Sequence, residues 1–515
     1  MRRQDIQLLA AARKGDIAAR CEVGRRYLAG AAGFPRHVRM GLDYLTHPSI
    51  SALPEAITTI VENLPLEDLI EFGQEQSLKT SASLGNAAAQ LKLGIWQIVR
   101  QADAREGKQF LRAASKQGLQ NAADALAISE ASKGFTLNDF LVAAAGRTAF
   151  DIERVLALAA QRFLAERNLI GLVRCAAAAL HIDPLPSEAM ADIVLAAIAL
   201  AEETGTDLDG IPPPVTQACL ELKSSQGDYS AAFTLGRALC DIPFKGVRPS
   251  SLVSAKNVRQ GAAMLLRAAD GGRSDAWSLL YQIYSSRTTV SNAPMALFFL
   301  EKAAKTGDVK AQRQLGALIL RKAQSIHHFE EGLSWLFKAS RMEDGSAQEL
   351  LASFVLPVQG SDIEADLAIE EVARKAPWLA LRLRVSRDFG LTKLEALTVN
   401  LTEGVRSWGL VVGPNPYIVQ RRLSGPRAIP ALSEEILSRL RDARDHFSKV
   451  TVDSNNLEGD LRQRADARRY AMRKYKPIEN MFFSKVDSLT LETFKKGPMW
   501  AARHEQLLAF ALSEG

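Results

Sequence analysis

The residue types that most often carry catalysis do not stand in catalytic arrangements in this sequence. Among the seven histidines, His327 and His328 are adjacent, but neighbours on a helix point about 100° apart and are not expected to share a metal ion. The carboxylate pair Glu330 and Glu331 is typical of a solvated helix face rather than of an acid–base dyad. The sequence has no phosphate-binding loop, nucleophile elbow or zinc-protease motif. We therefore predict that the protein is not an enzyme and has no catalytic residue, no cofactor and no metal ion.

The cysteines and the apolar stretches indicate a compartment. Cys21, Cys175, Cys219 and Cys240 are far apart and form no C-x-x-C pair, so reduced thiols are expected rather than a disulfide framework or a zinc site. The first residues contain no apolar segment of the kind found in secretory signals. The most apolar stretch, residues 189–201, is shorter than the about 20 residues that span a bilayer. The expectation is a cytoplasmic protein that is not inserted in a membrane.

Positive charge is concentrated late in the sequence. The net charge is +6, from 64 basic and 58 acidic residues, and residues 421–476 alone hold 14 basic against 8 acidic residues. A helix is predicted over residues 457–475. It carries a candidate basic contact surface of five arginines: Arg462, Arg464, Arg468, Arg469 and Arg473. These arginines could contact the phosphates of a nucleic acid, or they could pair with acids such as Asp466. The even charge balance of the whole chain favours the second interpretation.

The sequence repeats itself at intervals of roughly 35 residues. Within a unit, an alanine is followed four residues later by an apolar residue, usually Leu-Gly, and further on by an Ala-Ala or Lys-Ala pair. Units begin at or near Gly15, Gly85, Gly227, Ser274, Asp308 and Ser346. Such a unit is too small to bury its apolar face alone, so neighbouring units must stack.

The spacing within a unit predicts a pair of helices. Alanine and leucine four residues apart lie on one face at helical period. Glycines such as Gly236 and Gly316 remove a side chain where the backbone of the second helix must come close. The glycines after the second helices, Gly272, Gly307 and Gly345, are expected to adopt the left-handed conformation that ends a helix.

The pattern G-x-x-x-A-x-x-x-L-G, followed by K-A-A-x-x-G, resembles Sel1-like repeats, which are related to tetratricopeptide repeats. The resemblance is closest at residues 272–345, good at 15–47, 85–118 and 227–272, and weak or absent at 135–225. It implies an all-α fold, a right-handed α/α superhelical solenoid of helix pairs with a C-terminal helical cap region. It also implies a protein-interaction scaffold, by analogy a bacterial regulator or assembly factor, with no catalysis and no cofactor.

Four segments are predicted. Residues 1–134 contain N-terminal Sel1-like repeats, and residues 135–214 contain degenerate helical repeats that end in a Pro-rich linker. Residues 215–375 contain the central Sel1-like repeats, and residues 376–515 form a mostly helical region with a short hairpin and the basic helix. The linker, residues 204–214, is expected to join two lobes of the superhelix.

Within the last segment, two β-prone runs and a final helix are predicted. The runs, residues 407–412 and 417–423, flank a Gly-Pro-Asn-Pro sequence and are expected to pair as a small hairpin. A helix is expected to begin after Ser433 as its N-cap. A single last helix is predicted over residues 498–512.

In stacked helix pairs the first helices line the concave surface, and the positions around the Leu-Gly pair are free to vary. The candidates for partner contact at these positions are Arg25, Arg26, Lys92, Trp96, Arg237, Trp277, Gln282, Arg313 and Gln314. Arginine and tryptophan often anchor interfaces, although tryptophans at such positions are more often core than contact, and the arginines could bridge to neighbouring repeats.

The first hypothesis is a non-enzymatic adaptor whose concave surface holds a protein partner. The alternative is a nucleic-acid-associated regulator that binds through residues 421–476. A distant third is an enzyme formed by the region from residue 375 onward.

Overall fold

The computed structural model describes residues 3–100, 104–131, 135–146, 150–182, 186–286, 291–413, 425–452, 461–475 and 479–513. The chain divides into two compact units, Met1–Arg273 (unit 1) and Ser274–Gly515 (unit 2). Within the described ranges the regular structure is helical apart from one two-stranded sheet. The predicted all-α class is therefore confirmed.

Unit 1 consists of paired helices. They are α1 (Arg3–Arg13), α2 (Ile17–Ala29), α3 (Val38–Leu45), α4 (Pro54–Asn63), α5 (Leu66–Glu71), α6 (Glu75–Ser83), α7 (Ala87–Arg100), α8 (Ala104–Lys116), α9 (Gln120–Ser129), α10 (Leu137–Ala145), α11 (Ile152–Ala165), α12 (Leu169–Ile182), α13 (Glu188–Thr204), α14 (Pro213–Ser225), α15 (Tyr229–Leu239) and α16 (Val258–Asp270), with a 3₁₀ helix at Pro249–Ser251. Helix α2 packs on α3, α7 on α8, α11 on α12 and α15 on α16. The predicted helix pairs are therefore present. One continuous apolar core extends from α2 to the loop after α15, and a separate cluster that includes Ala12 and Val23 joins α1 to α2.

Glycines lie where the two helices of a pair cross. A Cβ atom added at Gly236 would lie 2.8 Å from Leu265 Cγ and 2.9 Å from the carbonyl oxygen of Gly261. At Gly24 it would lie 2.5 Å from Leu45 Cγ. The second helix thus fills the space that a side chain would need, which is the close approach that the sequence predicted.

The predicted linker lies within unit 1. Leu208 and Ile211 are buried in its core, and the Ser251 hydroxyl donates to Asp207 Oδ1 at 3.1 Å. The boundary between the two units falls after Arg273 instead. The prediction of two lobes joined at residues 204–214 is therefore wrong, because apolar side chains within the Pro-rich stretch pack it into one unit. The four predicted segments themselves remain a prediction.

Unit 2 continues the helix pairs and then departs from them. Its elements are α17 (Asp275–Ser285), α18 (Ala293–Lys305), α19 (Val309–Lys322), α20 (Ile326–Ser340), α21 (Gly345–Ala352), α22 (Asp362–Ala373), α23 (Pro377–Asp388), α24 (Lys393–Thr398), β1 (Gly409–Val412), β2 (Arg427–Pro430), α25 (Glu434–Val452), α26 (Leu461–Tyr475), α27 (Ser488–Thr493), α28 (Gly497–Arg503) and α29 (Glu505–Leu512), with a 3₁₀ helix at Glu479–Met481. Helix α17 packs on α18, α19 on α20 and α22 on α23. The later helices lie against these pairs: α25 on α23, α26 on α22 and α24, and α29 on α19 and α21.

The turns that end the second helices follow the glycine prediction with one exception. Gly272 and Gly307 have φ values of +99° and +98°, the left-handed conformation that favours glycine. Gly345 does not, because it is the first residue of α21. Glu343, with a φ of 62°, takes the left-handed position there, and Asp344 caps α21. The prediction for Gly345 is therefore wrong by two residues.

Replacing Gly316 with alanine is expected to lower the free energy of unfolding by about 1–3 kcal/mol, because the added Cβ must displace packed atoms. That Cβ would lie 2.8 Å from the carbonyl oxygen of Gly332 and 2.9 Å from Leu336 Cγ. Gly345→Ala is the matched control, since a Cβ there meets nothing within 4 Å. Urea denaturation followed by tryptophan fluorescence measures both variants. Equal stabilities would contradict the close crossing of α19 and α20.

The hairpin and the last helix differ from their predicted bounds. Strand β1 pairs antiparallel with β2, so the second strand lies at Arg427–Pro430; the predicted run 417–423 lies outside the described residues. The last helix is two helices, α28 and α29, separated at His504. Helix α28 packs on α19 and contacts α27, whereas α29 packs on both α19 and α21. The helix after Ser433 is confirmed, with Ser433 Oγ accepting from the Ile436 N–H at 3.2 Å.

None of the helices in the described residues is both long and apolar enough to cross a bilayer. No group of three or more histidine, cysteine, aspartate or glutamate side chains in the same ranges is placed to hold a metal ion.

Candidate partner-binding surfaces

An open cleft lies between α2 and α4 in unit 1. Its lining residues come from both helices: Ala18, Cys21, Glu22, Arg25, Pro54, Glu55, Thr58 and Thr59. Arg25 and Glu55 are exposed on opposite walls. Of the residues predicted to contact a partner, Arg25 lies in this cleft. Glu22 was not among the predicted residues, although it lies next to the Val23-Gly24 pair of the same helix. The rule that selected positions around the Leu-Gly pair of each unit could have included it.

The charges on the α2 wall are fixed by pairing. Arg25 donates to both oxygens of Glu22, at 2.7 and 2.8 Å, and Arg26 Nε donates to Glu22 Oε1 at 2.7 Å. The hydrogen bond from Arg25 is the main cause that lowers the pKa of Glu22 to about 2, with Arg26 contributing and burial opposing. Arg26 also binds Asp5 at 3.0 Å and is half-buried, so it joins α1 to α2. Arg25 alone of these two arginines is well exposed.

Lys92 and Trp96 on α7 face the interior. Lys92 Nζ donates to the carbonyl oxygens of Val61 and Leu64, at 2.6 and 2.8 Å, and so caps the last turn of α4. Burial lowers the pKa of Lys92 to about 8, against the opposing charges of nearby glutamates. Trp96 is 3% exposed. Both predicted contact residues thus have structural partners within unit 1.

Replacing Lys92 with methionine is expected to change how stability depends on pH. The folded-state pKa, about 8, lies below the ordinary 10.5, so between these values the unfolded chain binds the additional proton. The free energy of unfolding of the natural protein should therefore rise relative to the variant, by about 1 kcal/mol per pH unit between pH 8 and 10.5. Urea denaturation followed by circular dichroism measures it, with the exposed Lys79→Met as control. A difference between Lys92→Met and the natural protein that does not change with pH would contradict the assignment.

Arg237 on α15 is held on three sides. It pairs with Glu202 at 3.0 Å, donates to the carbonyl oxygen of Pro243 at 2.6 Å and lies 4.1 Å from the centre of the Phe244 ring. Its guanidinium therefore bridges α13, α15 and the loop after α15. This is the neighbour-bridging role that the sequence left open.

The two predicted residues on α17 differ. Trp277 is buried and stacks on Phe299, with ring centres 6.1 Å apart. Gln282 is exposed. Gln282 remains available on the surface of unit 2, whereas Trp277 belongs to the core.

Arg313 and Gln314 on α19 bind the chain's own helix α29. Arg313 Nε donates to the carbonyl oxygen of Ala511 at 2.9 Å and its Nη2 to that of Ser513 at 3.3 Å. Gln314 donates to the carbonyl oxygen of Leu512 at 3.4 Å. The surface that the sequence assigned to a partner is thus covered in unit 2 by a segment nearly 200 residues later in the chain.

The basic helix α26 uses part of its charge internally. Arg464 Nη1 donates to the carbonyl oxygen of Leu397 at 3.1 Å, and Arg468 pairs with Glu479 at 2.8 Å. The other three arginines, Arg462, Arg469 and Arg473, are exposed, and Arg469 pairs with Asp466 at 2.6 Å. Residues 414–424, 453–460 and 476–478 of the predicted basic segment lie outside the described residues.

Comparison with known proteins places this chain beside two solved structures. One is a protective antigen present in uropathogenic Escherichia coli strains that displays an SLR fold; it has 17% sequence identity and a TM-score of 0.27, covering 98% of this chain and 87% of that one. The other is a Sel1 repeat protein from Oxalobacter formigenes, with 20% identity and a TM-score of 0.26, covering 67% of this chain and 88% of that one. The chain is similar to Sel1 repeat proteins.

No protein-family model and no curated protein matches this chain. Its helix pairs show close crossings at Gly236 and Gly316 and left-handed turns at Gly272 and Gly307. These are the features through which the sequence resembles Sel1-like repeats.

Proposed function

We propose that this protein is a non-enzymatic scaffold for protein–protein interaction, an adaptor that acts as a regulator or assembly factor in a bacterium. The observation that carries the proposal is the open cleft between α2 and α4, in which charged and polar side chains of two neighbouring helices line one surface. Stacked helix pairs are rigid, and a rigid surface binds with little loss of conformational entropy.

The cleft offers directed contacts to a protein partner. Arg25 is held by two hydrogen bonds to Glu22, so its guanidinium is ordered before a partner arrives, and arginine is among the residues that most often anchor interfaces. Thr58 and Glu55 provide hydroxyl and carboxylate groups on the facing wall. A partner that fits must satisfy both walls at once, which gives the surface its specificity.

Retrieval of a partner by the full-length chain tests this proposal. A stoichiometric partner recovered by the natural protein should be released by either of two variants. Arg25→Glu reverses a charge on one wall of the cleft, and Thr58→Arg fills the cleft with a larger side chain. Arg39→Glu is the matched control, because Arg39 is exposed on the second helix α3 and the charge change is the same. A partner retained equally by all variants would remove the cleft from consideration.

The nucleic-acid alternative is a weaker proposal that makes a separate prediction. With Arg464 and Arg468 held by Leu397 and Glu479, the exposed arginines of α26 are Arg462, Arg473 and Arg469, the last of which pairs with Asp466. Three phosphate contacts on duplex DNA would give a slope of about −2.7 for the logarithm of the binding constant against log salt. A mobility-shift assay at about 50 mM salt, with Arg462→Glu as the comparison, is expected to show no complex. A complex with that slope, lost in the variant, would replace the adaptor proposal.

A further inference from the structure

The exposed side of α22 in unit 2 is apolar and acidic. Ile363 and Leu367 are 74% and 61% exposed, and side chains four residues apart on a helix lie next to each other. The helix contains five acidic residues and no basic one. Two of these acids pair with arginines of α23, whereas Glu370 and Glu371 are exposed and have no ion pair among the described residues. These four exposed residues form the α22 face: Ile363, Leu367, Glu370 and Glu371.

The exposed side of α26 is aromatic and basic. This helix contains six basic residues and one acidic residue, and Arg464 and Arg468 contact other parts of unit 2. Tyr470 is 63% exposed, and Lys474 Nζ lies 5.7 Å from the centre of its ring. Arg473 is exposed as well. We call Tyr470, Arg473 and Lys474 the α26 face, and its charge is opposite to that of the α22 face.

The two faces meet at the C-terminal ends of their helices. Helix α26 packs on α22. A hydrogen bond with Lys474, together with the positive charge of Lys474, lowers the pKa of Lys375, which lies two residues beyond α22. The two ammonium groups are therefore close together, and carboxylates placed beside them would offset their repulsion. The exposed sides of α22 and α26 are thus continuous at this point.

A second copy of the chain offers both complementary faces at once. In a two-fold dimer the same surface of each copy takes part, so a contact between the α22 face of one copy and the α26 face of the other occurs twice. The apolar side chains of Ile363 and Leu367 then pack against Tyr470. Opposite charges across the contact also select this arrangement over one in which like faces meet.

We propose that unit 2 forms a two-fold dimer of this chain, in which the α22 face of each copy docks on the α26 face of the other. Glu370 and Glu371 pair across the interface with the basic side chains of the α26 face. The dimer goes beyond the proposed function, because it uses no residue of the cleft in unit 1. It provides an assembled adaptor with two copies of that cleft.

Analytical ultracentrifugation of the full-length chain measures the dimer. The natural protein is expected to sediment with twice the 56.1 kDa mass of one chain at about 50 µM, where a complex with a micromolar Kd is mostly assembled. Two variants should each weaken dimerisation by at least about ten-fold, because they set like charges against each other. The α22 variant carries Glu370→Arg and Glu371→Arg, and the α26 variant carries Arg473→Glu and Lys474→Glu.

Mixing the two variants tests both contacts together. In the mixture the positive α22 face of one variant meets the negative α26 face of the other, and the second contact pairs the two natural faces. We therefore expect an equimolar mixture to form a dimer about as readily as the natural protein does. Recovery of the dimer would also show that neither variant has lost its fold.

The matched control carries Arg321→Glu and Lys322→Glu, the same pair of changes at exposed positions of α19, and should dimerise like the natural protein. Leu367→Asp should weaken dimerisation by at least about ten-fold, because it removes an apolar contact and adds a charge to the interface. A natural protein that stays monomeric, a dimer that neither variant weakens, or a mixture without dimer would overturn the proposal. A monomer would leave the α26 face to another occupant, such as the nucleic acid of the mobility-shift assay.

Discussion

Replacing Arg427 with methionine is expected to lower the free energy of unfolding by about 3–5 kcal/mol, because it leaves a buried carboxylate without its partner. Arg427 on β2 is fully buried and binds Glu395 of α24 through two hydrogen bonds, at 3.0 and 3.1 Å. It also donates to the carbonyl oxygens of Gly390 and Phe354, at 3.3 and 3.5 Å. Since five of the six tryptophans lie in unit 2, urea denaturation followed by their fluorescence measures the effect.

Two further variants separate the cause from simple loss of packing. Arg469→Met removes an exposed pair with Asp466 and should cost less than about 1 kcal/mol. The double variant Arg427→Met with Glu395→Gln should recover part of the stability lost by the single change, since no charge remains buried. A double variant no more stable than Arg427→Met would contradict this explanation.

The same pair makes a prediction about pH. Burial acts to raise the pKa of Glu395, but the charge and hydrogen bonds of Arg427 dominate and lower it below its ordinary value. In the natural protein this carboxylate therefore stabilises the fold above its unfolded pKa, and the contribution is lost as pH falls through the folded pKa. In Arg427→Met the charge and hydrogen bonds of Arg427 no longer oppose burial, while the hydrogen bonds from Thr392 remain, so the pKa of Glu395 should rise. The stability gap between the two proteins should then narrow as pH falls from 7 towards 4.

Trp500→Ala is expected to cost about 3–5 kcal/mol, because it leaves a large cavity in a core that cannot fully collapse. The indole of Trp500 is fully buried. It stacks on Phe354, and Phe354 in turn contacts Phe494 with ring centres 6.3 Å apart. The change therefore removes the stacking contact of α28 with Phe354, a residue that also packs on Phe494. Circular dichroism during urea denaturation measures the loss without depending on the fluorescence of the removed residue.

Phe510→Ala is the matched control for this prediction. Phe510 is an aromatic residue of the adjacent helix α29 but is mostly exposed, and its removal should change the free energy of unfolding by no more than about 0.5 kcal/mol. Equal losses for Trp500→Ala and Phe510→Ala would show that α28 is not part of the core of unit 2.

The repeat units are the part of the structure that the residue pattern predicts well. Alanine, leucine and glycine at helical spacing determine which face is buried and where the second helix can approach, and these are local relations within about 35 residues. Gly236 and Gly316 lie at close crossings for that reason. The error at Gly345 is of the same local kind, since Asp344 offers a helix cap that competes with the glycine.

The candidate site could be predicted only in part. Position within a repeat identified Arg25 and Gln282, which are exposed. The same rule selected Trp96 and Trp277, which are buried, because a position on the first helix does not say how closely the next pair packs. That any of these residues binds a partner stays a prediction.

The sequence by itself determined the helix pairs, their close crossings and most of their turns, because these depend on side chains a few residues apart and on the helical period. Only the tertiary structure decided that Arg427 pairs with Glu395, that Trp500 stacks on Phe354 and that α29 covers Arg313. Those contacts join segments that are remote in the chain. The local rules say only that an apolar face or a buried charge needs some complementary surface, and several surfaces of the unit would serve. The surface that each one meets is decided by how all the helices of the unit pack together.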